Sequence, residues 1–380
     1  MRIFFVTNNY TPYTGGVTNS IIATTDALRT QGHKVFIITL DFKPQKQAQD
    51  PDYVIRLFCP IRFTYKKNYM AIPWRSTHAI KKLIKQYKPD IVHIHHPFLL
   101  GASALKVAQT YHIPCVFTYH TLYEDYAHYI PLPQRWTKPF IRLIIKHFCH
   151  EMQGIIVPSS AIKHYLVAQD IKTSMAIIPS PLRSFFFATH NQTITPLPKK
   201  YFELLIVTRF VPEKNVPFIF DVFKQLPENF ALTLVGYGND YEKLQQLAYK
   251  QLHFSPQRVR FVHKPPQDDL LACYRNADLF IFTSTTDTQG IVLAESMSQG
   301  VPVIAIDGPG QRDIIKNGYN GFIAKDANQA AQIVMNIASN KVLHTTLIAG
   351  ARVTAENYHA TIITKKLLEF YHRIISCYHS

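Results

Sequence analysis

Long apolar runs and paired cysteines are both missing from this chain of 380 residues. No stretch approaches the roughly 18 uninterrupted apolar residues that a membrane-spanning helix needs, so we expect no such helix. The opening MRIFFVTNNY has too short an apolar run for a signal peptide and favours a first buried strand instead. The five cysteines stand far apart without a CxxC pair, which indicates reduced thiols in a cytoplasmic protein rather than a disulfide framework or a zinc knuckle.

Familiar nucleotide and metal motifs are also missing. The sequence contains no P-loop, and the GYG at 236–238 lacks the third glycine of a dinucleotide fingerprint. Its 18 histidines include no HExxH or comparable ligand spacing, so we interpret most of them as surface or half-buried residues. These absences argue against P-loop, dinucleotide and zinc sites.

Acidic residues are scarce in the first half of the chain. Residues 1–180 carry 21 Lys or Arg against 9 Asp or Glu, whereas residues 181–380 carry 20 against 16. The formal net charge of +16 therefore belongs mainly to the first half, and it indicates an anionic partner there, either nucleic acid or a membrane surface. A hydrophobic share of 47% with 17% charged residues excludes disorder as the main state.

Short apolar runs alternate with helix-period segments, which is typical of parallel sheets covered by helices on both faces. A polar, proline-containing stretch at 183–200 interrupts the alternation and predicts a linker. We expect an α/β protein with two doubly wound, Rossmann-like domains facing across a cleft, at 1–182 and 201–358. The predicted strands are 2–7, 34–40, 54–58, 90–96, 115–120, 154–159 and 175–180 in the first domain, and 204–209, 230–236, 258–263, 279–284, 301–306 and 321–324 in the second.

Charged residues follow two strands of the second half. Arg209 ends one strand and Lys214 comes five residues later, an arrangement that suits a diphosphate whose charge grows as it leaves. Asp287 lies in the loop after a later strand, Gly290 precedes a helix, and Glu295 lies on that helix. Carboxylates accept hydrogen bonds from sugar or ribose hydroxyls, and the start of a helix offers unpaired N–H donors. The alternative is a solvated surface cluster beside a capped helix.

In the first half of the chain, glycines and histidines lie at or after the ends of predicted strands. Gly15 and Gly16 precede a helix, where backbone N–H groups can approach an anion, although a flexible turn explains them equally well. His120 ends the predicted strand at 115–120, next to a histidine cluster at 93–96, and can act by hydrogen bonding or proton transfer. For any single histidine, a structural role is the alternative.

Taken together, these residues resemble glycosyltransferase family 4, which comprises retaining nucleotide-sugar enzymes with the GT-B fold. The resemblance covers nearly the whole chain, and it rests on GGV at 15–17, His120, Arg209 with Lys214, and the pair Asp287 and Glu295 within a segment ending in AESMSQGVPVIA. Three further segments are similar to the branch that glucosylates membrane lipids such as diacylglycerol: HHPFLLG at 95–101, FTYHTLYEDY at 117–126 and DTQG at 287–290.

The resemblance implies that a hexose moves with retention from a nucleotide sugar, by default UDP-glucose, to a membrane lipid. It implies that Arg209 and Lys214 bind the donor diphosphate, that Glu295 holds the ribose, and that Asp287 orients the donor sugar beside His120. It places the remaining donor contacts at Gly15, Gly16, Gly236, Gly290, Ile291 and Val292. No metal or other cofactor is implied, because the two cations can take the place of a metal. A last helix at 359–380 is expected to pack back on the first domain.

The sequence departs from the family pattern at three places. Asp287 stands where the family usually has Glu, so its carboxylate reaches one methylene less far, and the donor stays open between UDP-glucose, UDP-galactose and GDP-mannose. Thr208 replaces a glycine that often precedes the arginine. PSPLRS at 179–184 replaces the usual turn at the end of the first domain, which can alter the geometry there.

A lipid acceptor requires an enzyme that docks on a bilayer, and the segment 72–88 predicts a basic amphipathic helix suited to this. Trp74 stands at its start and Lys81, Lys82 and Lys85 flank its apolar face, while 138–148 is a second candidate helix. The alternative is that both apolar faces pack on the sheet and the lysines are merely solvated. We expect a peripheral protein on the inner face of the cell membrane.

Other functions stay open at this point. The same enzyme class also acts on soluble glycans or lipopolysaccharide precursors, and a catalytically silent relative binds a sugar nucleotide without turnover. A nucleic-acid-binding protein would explain the basic half, but no helix-turn-helix, RNP or zinc-finger pattern supports it. We therefore expect no nucleic-acid partner.

Overall fold

The computed structural model describes residues 1–12, 15–42, 50–65, 68–124, 133–188 and 200–379. The chain divides into two compact units, Met1–Arg183 with Ala360–Ser380, and Ser184–His359. Each unit is built on one parallel sheet, which confirms the expected α/β class with two doubly wound domains. Much of the predicted linker at 183–200, namely 189–199, lies outside the described residues.

The first unit contains a sheet of seven parallel strands and a separate hairpin. Its strands are β1 (Arg2–Val6), β2 (Lys34–Leu40), β3 (Val54–Leu57), β4 (Ile61–Tyr65), β5 (Asn68–Ile72), β6 (Ile91–Ile94), β7 (Cys115–Thr118), β8 (Gly154–Val157) and β9 (Met175–Ile177). The order across the sheet is β3-β2-β1-β6-β7-β8-β9. Apart from the exposed Arg2 at the start of β1, the central strands β1, β6 and β7 are buried because helices cover both faces, which is why they are near-continuous apolar runs.

Five helices in the described ranges connect the strands of this unit: α1 (Gly16–Thr30), α2 (Ser76–Tyr87), α3 (Leu100–Thr110), α4 (Gln134–His150) and α5 (Ser160–Ala168). The apolar residues of α2, α3, α4 and α5 join one core cluster with one set of strand side chains. Those of α1 join a second cluster with the alternate set, including Ile3 and Phe5. Because neighbouring side chains of a strand point to opposite faces, the two clusters lie on opposite faces of the sheet.

The hairpin of β4 and β5 was not expected from the sequence. The two strands pair antiparallel, with Ile61 opposite Ile72 and Phe63 opposite Met70, and they belong to neither parallel sheet. A half-buried antiparallel strand is normally predicted from apolar residues that face the protein and alternate with polar residues that face solvent. In this hairpin the side chains that face solvent are apolar, so that pattern is missing.

The second unit has six parallel strands in the order β12-β11-β10-β13-β14-β15. These are β10 (Phe202–Arg209), β11 (Phe230–Tyr237), β12 (Val259–His263), β13 (Leu279–Phe282), β14 (Val303–Ile306) and β15 (Gly321–Ala324). Its helices are α6 (Pro217–Phe223), α7 (Tyr241–Gln246), α8 (Gln267–Asn276), α9 (Ile291–Ser298), α10 (Gln311–Ile314), α11 (Ala327–Ser339) and α12 (Lys341–Glu356). Side-chain caps start α11 and α12, where Asp326 accepts from the Gln329 N–H at 2.8 Å and Asn340 from the Leu343 N–H at 3.0 Å.

The last helix, α13 (Ala360–His379), belongs to the first unit, as expected. Its residues Leu367, Phe370 and Ile374 join the core cluster that contains α1. The Gln31 amide at the end of α1 donates to the Thr364 hydroxyl at 2.8 Å. The first unit is therefore completed by a segment that follows the whole second unit in sequence.

Within the ranges the structure describes, no helix is both long and apolar enough to cross a membrane.

Replacing Phe370 with Ala tests whether α13 is an integral part of the first core. Phe370 is 3% exposed, and its truncation leaves a cavity that costs about 3–5 kcal/mol of unfolding free energy. We expect Phe370→Ala to lower the midpoint of chemical denaturation clearly. Lys366→Ala, at an exposed position of the same helix, should leave the midpoint almost unchanged. Equal midpoints for the two variants would contradict the assignment.

Candidate functional site

The carboxyl edge of the second sheet brings three predicted residues together. Arg209 ends β10, Lys214 follows in a short 3-10 turn, and Asp287 lies in the loop after β13, the strand beside β10. The Lys214 ammonium pairs with the Asp287 carboxylate, and both side chains are largely buried. The Thr283 hydroxyl donates to the Lys214 carbonyl at 2.5 Å. Lys214 is therefore held at this edge by both its side chain and its backbone.

Arg209 lies in the same cluster. One of its terminal nitrogens is 3.8 Å from a carboxylate oxygen of Glu213, whose side chain is only 15% exposed. The Glu213 carbonyl accepts from the Ser284 hydroxyl at 3.3 Å, which ties the Lys214 turn to the loop after β13. This loop-to-loop network fits the interpretation as a solvated surface cluster poorly, because its members are partly buried and mutually bonded.

Glu295 lies on α9 and is almost fully buried, with 8% of its surface exposed. Its carboxylate accepts a hydrogen bond from the Tyr274 hydroxyl of α8 at 2.8 Å. Burial raises the pKa of Glu295 to about 7, although the Tyr274 hydrogen bond acts in the opposite direction. A buried carboxyl with one protein donor keeps capacity to accept further hydrogen bonds from hydroxyl groups.

Gly290, Ile291 and Val292 form the start of α9. Gly290 has φ +68°, a left-handed conformation that favours glycine, and the helix begins at the next residue. The first N–H groups of an α-helix have no partner within the helix and carry its positive end. The structure thus places the N–H donors of a helix start after the same loop that carries Asp287, and their contact with the donor phosphates stays a prediction.

Gln311 is a residue at this edge that the sequence did not single out. It is fully buried at the start of α10, and its amide donates to the carbonyls of Ser284 at 2.6 Å and Ile306 at 3.2 Å. The Gly310 N–H donates to the Asp287 carbonyl at 3.1 Å. In the sequence, the signal for this residue is the glycine-rich turn GPGQRD at 308–313, which follows β14 and is bonded to the loop that carries Asp287.

Gly236 is the last residue but one of β11 and pairs with Thr208 of β10. A Cβ at this position would lie 1.8 Å from the Thr208 carbonyl oxygen, so close strand approach requires glycine here. Packing therefore explains Gly236 without any ligand, and its predicted donor contact stays a prediction.

In the first unit, Gly15 and Gly16 follow β1 at the carboxyl edge of the sheet. Gly15 has extended backbone geometry and α1 begins at Gly16. Gly16 is exposed, and no atom would lie within 4 Å of a Cβ added to it. The backbone at this helix start is thus accessible, as an approaching ligand would need.

His120 follows β7 at the same edge and is joined to a row of histidines. Its Nε2 lies 2.9 Å from Nδ1 of His95, and His95 stacks on His93 with ring centroids 4.2 Å apart. The Nδ1 atom of His93 lies 2.5 Å from the hydroxyl of Tyr371 on α13, and its Nε2 lies 2.6 Å from the Thr118 hydroxyl. The C-terminal helix therefore supports the candidate residue His120 through two intermediate histidines.

Burial keeps these imidazoles neutral. It lowers the pKa of His93 to about 3, and it holds the pKa values of His95 and His120 well below their usual range, assisted by the neighbouring histidines. His120 is therefore suited to hydrogen bonding in the neutral form near pH 7 rather than to acting as a cation.

The predicted docking residues lie along and before α2. Ile80 and Ile84 are buried against the sheet, so the apolar face of this helix packs in the core, as the alternative proposed. Lys81, Lys82 and Lys85 are exposed, and Trp74 is 65% exposed just before the helix. The second candidate is α4, which buries Ile141 and Ile145 but exposes Trp136, Phe140 and Leu143.

One sequence prediction, the segment FTYHTLYEDY, extends beyond the described residues, and another, the absence of a metal, stays untested. The last two residues of FTYHTLYEDY, at 125–126, lie outside the described part of the chain. The described residues contain no group of three or more His, Cys, Asp or Glu side chains placed to hold a metal ion, and the expected absence of a metal stays a prediction.

Alanine at the two predicted glycines should give opposite results. Gly236→Ala forces a Cβ onto the Thr208 carbonyl and should lower the thermal midpoint strongly. Gly16→Ala meets open space and should leave the midpoint unchanged, so a loss of ligand binding in that variant would report directly on the site. Differential scanning calorimetry of both variants measures the contrast, and equal midpoints would contradict it.

Burial disfavours the ionised form of the Glu295 carboxyl, and replacing Glu295 with Gln removes this ionisable group. The folded pKa is about 7, against about 4.3 in an unfolded chain, so the unfolded state loses its proton first as pH rises. The wild-type protein therefore loses stability between about pH 5 and pH 7 relative to the variant. Thermal unfolding across this range should show a growing advantage for Glu295→Gln, with the exposed Glu356→Gln as control. An advantage that shrinks as pH rises would contradict the assignment.

Comparison with known proteins agrees with this arrangement. The model of "Glycosyltransferase Family 4" matches residues 14–182, and that of "Glycosyl transferases group 1" matches residues 188–352. The alpha-monoglucosyldiacylglycerol synthase of Streptococcus pneumoniae is 29% identical, over 98% of this chain and 85% of its own length. The protein of the same name from Acholeplasma laidlawii is 26% identical, over 98% and 96%. These relatives confirm the motif resemblance, including the branch to which it pointed.

Solved structures share the fold at lower identity. A sucrose-phosphate synthase from Thermosynechococcus elongatus superposes with a TM-score of 0.81 at 20% identity, covering 99% of both chains. The Anabaena protein HepE in complex with UDP gives a TM-score of 0.77 at 16% identity, covering 98% of this chain and 100% of that one. The chain therefore belongs to glycosyltransferase family 4 and is a hexosyltransferase with the GT-B fold.

Proposed function

We propose that this protein transfers glucose from UDP-glucose, with retention of configuration, to the free hydroxyl of a diacylglycerol-type membrane lipid. The observation that carries the proposal is the partly buried ion pair of Lys214 with Asp287, next to Arg209, at the carboxyl edge of the second unit. Similarity to two monoglucosyldiacylglycerol synthases over 98% of this chain supports the choice of acceptor.

Each residue of the edge has a place in this reaction. Arg209 and Lys214 bind the diphosphate and stabilise the charge that develops on it as it leaves. The N–H groups at the start of α9 assist them. Glu295 accepts hydrogen bonds from the ribose hydroxyls, and its raised pKa falls as those donors arrive. Asp287 accepts hydrogen bonds from the sugar hydroxyls.

The chemical step is a substitution at C1 of the sugar. The bond from C1 to the diphosphate oxygen breaks, and the acceptor oxygen forms its bond to C1 on the same face of the ring. The acceptor proton passes to the departing phosphate oxygen. Neutral His120 serves as a hydrogen-bonding group at the carboxyl edge of the first unit. No metal takes part, because Arg209 and Lys214 bind the diphosphate in its place.

Replacing Lys214 with Ala tests the proposed site. Loss of a cation aimed at the leaving group should reduce kcat by about 10²- to 10³-fold. Lys224→Ala, which removes an exposed lysine of the same unit paired with Asp221, should leave kcat unchanged. Unchanged turnover in Lys214→Ala would refute the site assignment.

A substrate panel tests the donor, the acceptor and the stereochemistry together. The protein is incubated with UDP-glucose, UDP-galactose or GDP-mannose, with and without diacylglycerol vesicles. Mass spectrometry identifies the products, and the coupling constant of the anomeric proton in the NMR spectrum gives their anomeric configuration. We expect an α-glucosyl lipid from UDP-glucose alone. Product only with a water-soluble acceptor would refute the lipid proposal, and a β-linked product would refute retention.

A further inference from the structure

Exposed apolar side chains are concentrated on the first unit. Among the described residues, all but three of the exposed large apolar side chains belong to it, the exceptions being Tyr319, Val342 and Val353. Apolar surface gathered in one region of a protein marks an interaction site more often than scattered apolar residues do. The hairpin of β4 and β5 contributes the largest group that one element carries.

The hairpin presents one apolar side to solvent. Ile61, Phe63, Met70 and Ile72 form two directly opposed pairs on that side, with exposures of 55%, 46%, 43% and 43%. The other side faces the protein, because Ala71 is 3% exposed and the Arg62 guanidinium donates to the Asp41 carboxylate at 2.9 Å. We call the four outward residues the hairpin face. The anchored opposite side keeps these side chains turned away from the protein.

The hairpin face lies at the carboxyl edge of the first sheet. The hairpin follows β3 directly, and its Arg62 is bonded to Asp41, the residue that follows β2. This is the edge at which β7 ends and His120 lies. Trp74 is held at the base of the hairpin, where its backbone N–H donates to the backbone carbonyl of Phe58 at 3.1 Å. The exposed Trp136 and Phe140 lie in the first two turns of α4, which starts from the same edge.

The positive charge around the hairpin favours an anionic partner. Residues 53–88 contain nine Lys or Arg and no Asp or Glu. A second copy of the chain would bring the same positive charge to the contact, so self-association is opposed. An anionic lipid surface offers complementary charge together with an apolar interior for the exposed side chains.

We propose that the hairpin face is the element by which this protein docks on an anionic bilayer, with Trp74 and the start of α4 as flanking contacts. The inference rests on the proposed function, since a lipid acceptor must reach the carboxyl edge of the first unit. It assigns bilayer insertion to the hairpin, whereas α2 contributes its exposed lysines and keeps its apolar face in the core.

Vesicle co-sedimentation tests the proposal without any substrate. The full-length protein is mixed with vesicles of phosphatidylcholine, either alone or with an equal part of phosphatidylglycerol. We expect binding to the anionic vesicles only, and a decrease of at least about tenfold in the partition coefficient of Phe63→Gln/Met70→Gln, since two inserted side chains are lost. Val342→Gln/Val353→Gln, at exposed positions of the second unit, is the matched control and should bind like wild type.

Activity measurements separate this inference from the proposed function. With a short-chain diacylglycerol dissolved below its aggregation limit, the hairpin variant should turn over like wild type, and it should lose activity only on vesicles. Wild-type vesicle binding by the variant would overturn the docking surface while leaving lipid glucosylation intact. Vesicle binding that depends on the hairpin, but without any lipid product, would instead overturn the proposed function. Hairpin-dependent binding to neutral vesicles would refute the role given to charge.

Discussion

Parallel alignment of the strands is the constraint on which the rest of this molecule depends. When every strand of a sheet runs the same way, all the loops that follow strands emerge at one edge, whatever their separation in sequence. In the second unit this brings Lys214 after β10, Asp287 after β13 and Gln311 after β14 into one bonded network. In the first unit it gathers the start of α1, His120 and the base of the hairpin. In each unit, candidate site residues that are far apart in sequence lie close together because the strands of the sheet are parallel.

Both units bury polar groups at these edges, and such groups cost stability unless they are bonded. Among the described residues, the Glu295 carboxylate accepts one side-chain hydrogen bond, from Tyr274, and its pKa is raised, so near neutral pH its ionised form is held at a cost to the fold. The histidine row differs, since its members stay neutral: His95 bonds to His120 and His93 bonds to Tyr371, whereas the buried Nε2 atom of His95 has no hydrogen-bond partner among the described residues. The first arrangement leaves capacity for a ligand, whereas the second favours one fixed geometry.

Much of the framework could be predicted from local sequence. Strands such as Lys34–Leu40 and Gly321–Ala324 were predicted to the residue, because buried parallel strands are continuous apolar runs bounded by polar residues. The hairpin was missed because its apolar residues face solvent, which no periodicity argument anticipates. The contact of His93 with Tyr371 joins residues 278 positions apart and could not be found locally. The donor contact of Gly236 stays a prediction, and the close approach of Thr208 gives a packing reason for glycine at the same position.

The placement of α13 has a consequence for biosynthesis. A ribosome completes most of the first unit early, yet Ile363, Leu367 and Ile374 emerge only after the whole second unit has been made. At about 5–20 residues per second, the uncovered part of the first sheet waits on the order of ten seconds or more for its last helix. During this interval the nascent chain exposes apolar surface that the finished protein hides. The first unit to begin folding is thus the last to finish, and its maturation is tied to completion of its neighbour.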